Sequence, residues 1–154
     1  MSDEQSFIMM SMPGALMLRA DGSWSHEGER VTHEGLVAYL FRHLMHDPAT
    51  GNFVVAHGSR AVPILVEDTP YFIRTIDTLS TPWSLLLTGE TTEPFAPQTI
   101  RIGAREQFYV AVKQGQFEAK LLRPAWQALL PFVEESPNGF FLQHETTRIP
   151  IRPR

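Results

Sequence analysis

The sequence has 154 residues, 43% of them hydrophobic and 19% charged, with 13 basic side chains against 17 acidic ones. That balance belongs to an ordinary folded chain and excludes a disordered one. With no cysteine there is no disulfide framework, no thiolate metal site and no cysteine nucleophile, while a net charge of -4 without any Lys/Arg run argues against a nucleic-acid partner.

The opening MSDEQSFIMMSMPGALMLRA is acidic where a signal peptide is basic, and Pro13-Gly14 breaks an apolar run far too short to span a bilayer. It reads as an arm over residues 1–18 packing on the body of a cytoplasmic protein with no transmembrane segment. DGSWSHEGERV, residues 21–31, reads as a hairpin turning at Glu27-Gly28. Thr32 is placed to cap a helix, and Leu36, Val37, Leu40, Phe41 and Leu44 make its apolar stripe. Asp47-Pro48 is the expected stop. Tyr39, His43 and His46 fall on the flank away from that stripe. Strands follow at FVVA, VPILVE and YFIRTI, and TLSTPW (78–83) is the best linker, small, polar and Pro-bearing.

WSLLLTG, TIRIG, QFYVAV and FEAKL read as further strands, and ETTEPFAPQ as a Pro-broken loop. Pro124 suits a first helical position, and Trp126, Leu129, Leu130 and Val133 form a second stripe. Ser136-Pro137-Asn138-Gly139 turns the chain into a final pair of strands.

Two stretches repeat. FVVAHGSRAVPI (53–64) and FFLQHETTRIPI (140–151) share Phe, His, Pro and Ile at a constant separation of 87 residues. Gly28 and Gly115 keep that separation, and the helix stripes match at 89. The expected fold is therefore α+β with an internal duplication: two related lobes, each a helix packed on antiparallel strands and hairpins. The N-terminal lobe takes residues 1–80 and the C-terminal lobe 81–154.

The pieces DGSWSHEG, LVEDTPY and EAKLLRPAW, in that order, resemble the bacterial "domain of unknown function 1285" family over nearly the whole chain. The resemblance implies a two-lobed α+β fold of related halves with a cleft between them, and a signalling or ligand-binding role. Lys113-Gln114-Gly115 departs from the Arg-Gly-Gly that the family tends to show at this turn.

Candidate site residues are few. His57 and His144 end the apolar faces of their strands, where a ring at the core's edge would bond a backbone carbonyl. As an equivalent pair they are also candidates to hold one ligand. Two imidazoles make a poor metal site without a third ligand, so no metal and no cofactor is expected. The spacing of His43 and His46, three apart, offers only half a zinc site. Glu67 and Asp68 are adjacent on a strand and point to opposite faces, so they cannot form a catalytic dyad. Arg123 breaks a local rule, since a cation is unwelcome at a helix N-terminus. An ion pair with Glu67 or Asp68 would compensate it, as would an anion held together with Lys120. No phosphate loop, dinucleotide fingerprint or nucleophile elbow is present. These features describe a non-enzymatic ligand-binding or regulatory module, with Arg123, Lys120, Glu67, Asp68, His57 and His144 as its ligand-binding candidates and a small molecule, an anion among the options, or a protein as partner. A homo-oligomeric scaffold, pairing through the edge strand RIPI, and a small hydrolase or isomerase using a cleft histidine are the alternatives.

Overall fold

A computed structural model describes residues 15–154. The arm expected over residues 1–18 falls largely outside them. Its last part is not an arm, because Leu16–Leu18 forms a strand with Leu16 and Leu18 buried. The chain divides into two compact units that meet between Pro70 and Tyr71. The expected boundary at residues 80/81 fails for a specific reason. Strand 71–77 pairs with strands 84–87 and 117–121 of the second unit, so 78–83 is a hairpin connection.

The first unit contains β1 (Leu16–Leu18), β2 (Trp24–His26), β3 (Glu29–Arg30), α1 (Glu34–Arg42), β4 (Leu44–His46), β5 (Phe53–His57), β6 (Arg60–Pro63) and β7 (Leu65–Val66). They form a four-stranded sheet in the order β3-β2-β1-β7 and a three-stranded sheet β4-β5-β6. Glu27 and Gly28 carry the β2–β3 turn with φ of 53° and 83°, the left-handed conformation that a two-residue hairpin loop needs. The helix is capped one residue later than expected: His33 Nδ1 accepts the Leu36 N–H at 3.1 Å. It also ends earlier, at Arg42, because Leu44 is drawn into a strand opposite Val55. Asp47 then organises a turn instead of stopping a helix. Its Oδ1 accepts the Ala49 N–H at 3.0 Å and its carbonyl accepts the Gly51 N–H at 2.8 Å. His43 and His46 thus lie on different elements, and the half zinc site dissolves.

The second unit contains β8 (Tyr71–Asp77), β9 (Ser84–Leu87), β10 (Thr92–Pro94), β11 (Arg101–Ile102), β12 (Phe108–Val112), β13 (Phe117–Leu121), α2 (Arg123–Leu129), β14 (Val133–Ser136), β15 (Gly139–His144) and β16 (Thr147–Pro153). Its nine strands run in the order β10-β9-β8-β13-β12-β11-β16-β15-β14. Alternation builds the core. Ile149 and Ile151 of β16, Leu142 of β15, Val110 and Val112 of β12 and Ala119 and Leu121 of β13 point inward onto Ala125 and Leu129 of α2. The residues between them, among them Arg148, Arg152, Glu118 and Lys120, take the other face. RIPI is not the outermost strand of its sheet: it pairs with β15 along Arg148–Ile151, and β16 goes on to pair with β11 at Arg152 and Pro153.

The pairing of the two units can be laid side by side. Met17 opposes Ser25 and Arg101 opposes Tyr109. Leu44 opposes Val55 and Val133 opposes Leu142. His57 opposes Arg60 and His144 opposes Thr147. In each unit a parallel pairing closes the set, Leu18 with Val66 and Ile102 with Pro153. The next N–H after each, Glu67 and Arg154, donates to the carbonyl of Leu18 and Ile102, both at 2.9 Å. The β8–β10 meander of the second unit lies on the β13 side of its sheet. The chain is thus mixed α+β and mostly β, and no described helix is long and apolar enough to cross a membrane.

Candidate functional site

The residues singled out from the sequence fall on different elements of the two units. Arg123 is exposed at the start of α2. Glu67 is exposed in the first unit, where its Oε1 accepts the Ala20 N–H at 2.9 Å and its Oε2 lies 3.9 Å from Arg19 Nε. Asp68, its neighbour, is half-buried. Lys120 lies on β13 opposite Tyr109 and Phe72.

His57 and His144 stand at matching places in their hairpins but meet different surroundings. His57 Nδ1 shares a hydrogen bond with the Tyr39 hydroxyl, and Tyr39 stacks on His43 with ring centroids 4.1 Å apart. Tyr39, though on the flank away from the apolar stripe, is buried. Burial raises its hydroxyl above the ordinary tyrosine pKa. Burial, then Arg42 and His57, hold His43 below the ordinary histidine value. His144 instead packs edge-on against Trp83 and Phe95, at 4.7 and 5.9 Å. Its Nε2 is buried with no hydrogen-bond partner among the described residues, so the expected bond to a carbonyl does not form. Where the first unit has Tyr39 and His43, the second has Ala128 and Phe132. The two histidines therefore differ in their surroundings and in what their ring nitrogens meet.

A different group of residues shares the outward face of the second unit's sheet. Around Gln98, Thr99, Arg101, Gln116, Phe117 and Glu118 an open depression of about 410 Å³ forms beside β11, β12 and β13, floored by Ala111. The chain builds it by starting β11 late, only at Arg101. The turn at Pro97–Thr99 lifts away from β12, and Thr99 Oγ1 takes the Ala111 N–H at 3.0 Å in place of a strand partner. Arg101 is held in position by its own backbone: Nη1 donates to the carbonyls of Gln98 and Ile100, at 3.2 and 2.8 Å. Glu118 accepts from Arg154 Nε at 2.8 Å, and the Arg154 guanidinium lies 3.8 Å from the centre of the Tyr109 ring. Gly103 makes room for that ring, since a Cβ there would stand 2.7 Å from Tyr109 Cε2. None of these residues was singled out from the sequence. The alternating arginines of RIPIRPR were visible, but not the parallel pairing that brings them beside Arg101.

No protein-family model matches the chain, and no curated protein matches it in sequence. Solved structures do. The chain shares its fold with a DUF1285 family protein from Silicibacter pomeroyi DSS-3, at 18% identity over 90% of this chain and 79% of that one, with a TM-score of 0.64. It also matches a DUF1285 family protein from Shewanella baltica OS155, at 17% identity over 79% of this chain and 94% of that one, with a TM-score of 0.56. The fold is that of these DUF1285 proteins, and the resemblance carried by DGSWSHEG, LVEDTPY and EAKLLRPAW is met at the level of architecture.

Proposed function

We propose that the protein is a non-enzymatic ligand-binding module of the DUF1285 family, built by duplication of one α+β unit, with its ligand in the depression of the second unit. One observation carries the reading. A hollow of about 410 Å³ is lined by amide, hydroxyl and charged groups around an arginine already fixed by two carbonyls. That volume is within the range of small-molecule sites, about 300–1,000 Å³, and a pre-set guanidinium loses little freedom on binding. The duplication is supported by the 87-residue separation and by the matched cross-strand partners. In such a module the first unit supplies scaffold and the second carries recognition, which suits the regulatory role that the family resemblance suggests.

A thermal-shift screen of small metabolites tests the reading. A ligand present at 100 times its dissociation constant stabilises the native state by about 2.7 kcal/mol. For a chain of this size that is a rise of roughly 5–10 °C. Ala111→Phe, which fills the hollow from an outward-facing strand position, should abolish the shift. A ligand whose effect survives Ala111→Phe binds elsewhere, and the depression is then not the site.

A further inference from the structure

The face around Tyr109 carries a charge pattern that the fold does not require. In cross-strand order one row reads Arg152, Arg101, Tyr109, Lys120. Residues directly opposite on neighbouring strands project to the same side, so the two arginines stand next to each other across the β11–β16 pairing. Like charges in that relation are destabilising. The first unit offers an internal control. Its matching row reads Leu65, Met17, Ser25, Arg30, held by the same pairing pattern. The scaffold thus accepts apolar residues where the second unit places two guanidinium groups.

From this we infer that the second unit binds an anion, a carboxylate- or phosphate-bearing small molecule, between Arg101 and Arg152. The inference rests on the reading of the depression as a ligand site and adds the chemistry of what enters it. Arg101 is suited to the task. Among the described residues only Nη1 is used internally, on two carbonyls, and a guanidinium has further N–H donors in a fixed fork that matches two oxygens of one anion. Arg152 is exposed on the facing strand and adds a second such fork. Arg154 and Lys120 flank Tyr109 on either side and raise the local positive potential, against the carboxylate of Glu118 that Arg154 already engages. Gln98 and Gln116, on the rim of the depression, can bond the uncharged part of the same molecule. A chain whose net charge is -4 therefore keeps a compact cationic field at one place on its surface.

The test uses the whole chain and defined probes. Inorganic phosphate and citrate represent the two anion sources, glucose an uncharged polar ligand and spermidine a cation. Binding is read by amide NMR titration at Arg101, Tyr109 and Arg152, and by thermal shift. The expected result is saturable binding of phosphate, citrate or both, weakened by added sodium chloride and reduced about tenfold or more in Arg101→Met or Arg152→Leu. These variants copy the first unit's row. If Arg101→Met does not fold, the exposed Arg152→Leu alone decides. Anion binding that survives both substitutions overturns the inference. Glucose or spermidine binding in the depression without either anion also overturns it, while leaving the ligand-site reading intact. Failure of all four probes to bind overturns the anion inference, and the reading itself then stands or falls on the wider screen with Ala111→Phe.

Discussion

Leu142→Ala is the sharpest test of the packing described for the second unit. Leu142 is fully buried, opposite Val133 on β14 and Ile149 on β16, at the rung that Val55 holds in the first unit. Its side chain belongs to the same core as Ile149, Ile151 and Leu129. Truncation removes three carbons from a site closed on both sides by paired strands, which leaves little room for collapse. The expected loss is about 3 kcal/mol, within the measured range for buried leucines. For a chain of this size that lowers the melting temperature by roughly 6–12 °C. Leu142→Val should cost only about 1 kcal/mol, since it removes a single carbon from the same site. The assay is urea unfolding followed by tryptophan fluorescence, with Trp83 and Trp126 reporting from the second unit. The exposed Leu79, at 94% accessibility, is the control, and Leu79→Ala should change stability by less than about 0.5 kcal/mol. A loss below about 1 kcal/mol for Leu142→Ala, or one no larger than the control's, would refute the account of the core.

Two further outcomes follow from local geometry. The depressed pKa of His43 means that the folded chain takes up this proton at lower pH than the unfolded chain does. Its contribution to stability is complete above about 6.5 and is lost as pH falls through the folded value. Melting curves from about pH 7.5 to 5 should therefore fall less steeply in His43→Phe, which copies Phe132 of the second unit; equal slopes would remove His43 from the account. Gly103→Ala places a methyl 2.7 Å from Tyr109 Cε2 and should destabilise by about 1–3 kcal/mol in a thermal melt, unless the ring can swing aside.

Much of the architecture was legible because hairpins are local. Glu27-Gly28 and Ser136-Pro137-Asn138-Gly139 announce their turns, and alternation in FFLQH and RIPI assigns their faces. The helix of the first unit was overextended because Leu44 continues an apolar spacing that suits helix and strand alike. Only its pairing with Val55 decides between them. The linker reading of TLSTPW failed for a related reason. A Pro-bearing loop looks the same whether it joins two lobes or two strands, and the partners of β8 lie 7–14 residues and 48 residues onward. The candidate site was hidden by distance. Arg101 and Arg152 are 51 residues apart in the chain and meet only through a parallel pairing that leaves no local signal. Arg123, in contrast, was conspicuous in the sequence and proves to be an exposed helix start.

The place of β16 has a consequence for how the second unit holds together. The β14–β15–β16 meander joins the rest of the sheet through β16 alone, and that junction is a parallel pairing of only two residue pairs, Arg101 with Arg152 and Ile102 with Pro153. Parallel pairing is the weaker kind per residue, and here it carries two cations face to face. The sheet is consequently a zip with one short, self-repelling clasp, closed from the inside by Ile149 and Ile151 and fastened from the outside by whatever neutralises the arginines. A molecule bound across that clasp would do more than occupy a surface. It would set how firmly two sections of one sheet stay joined, so that occupancy is registered by the whole unit as a change in its resistance to opening.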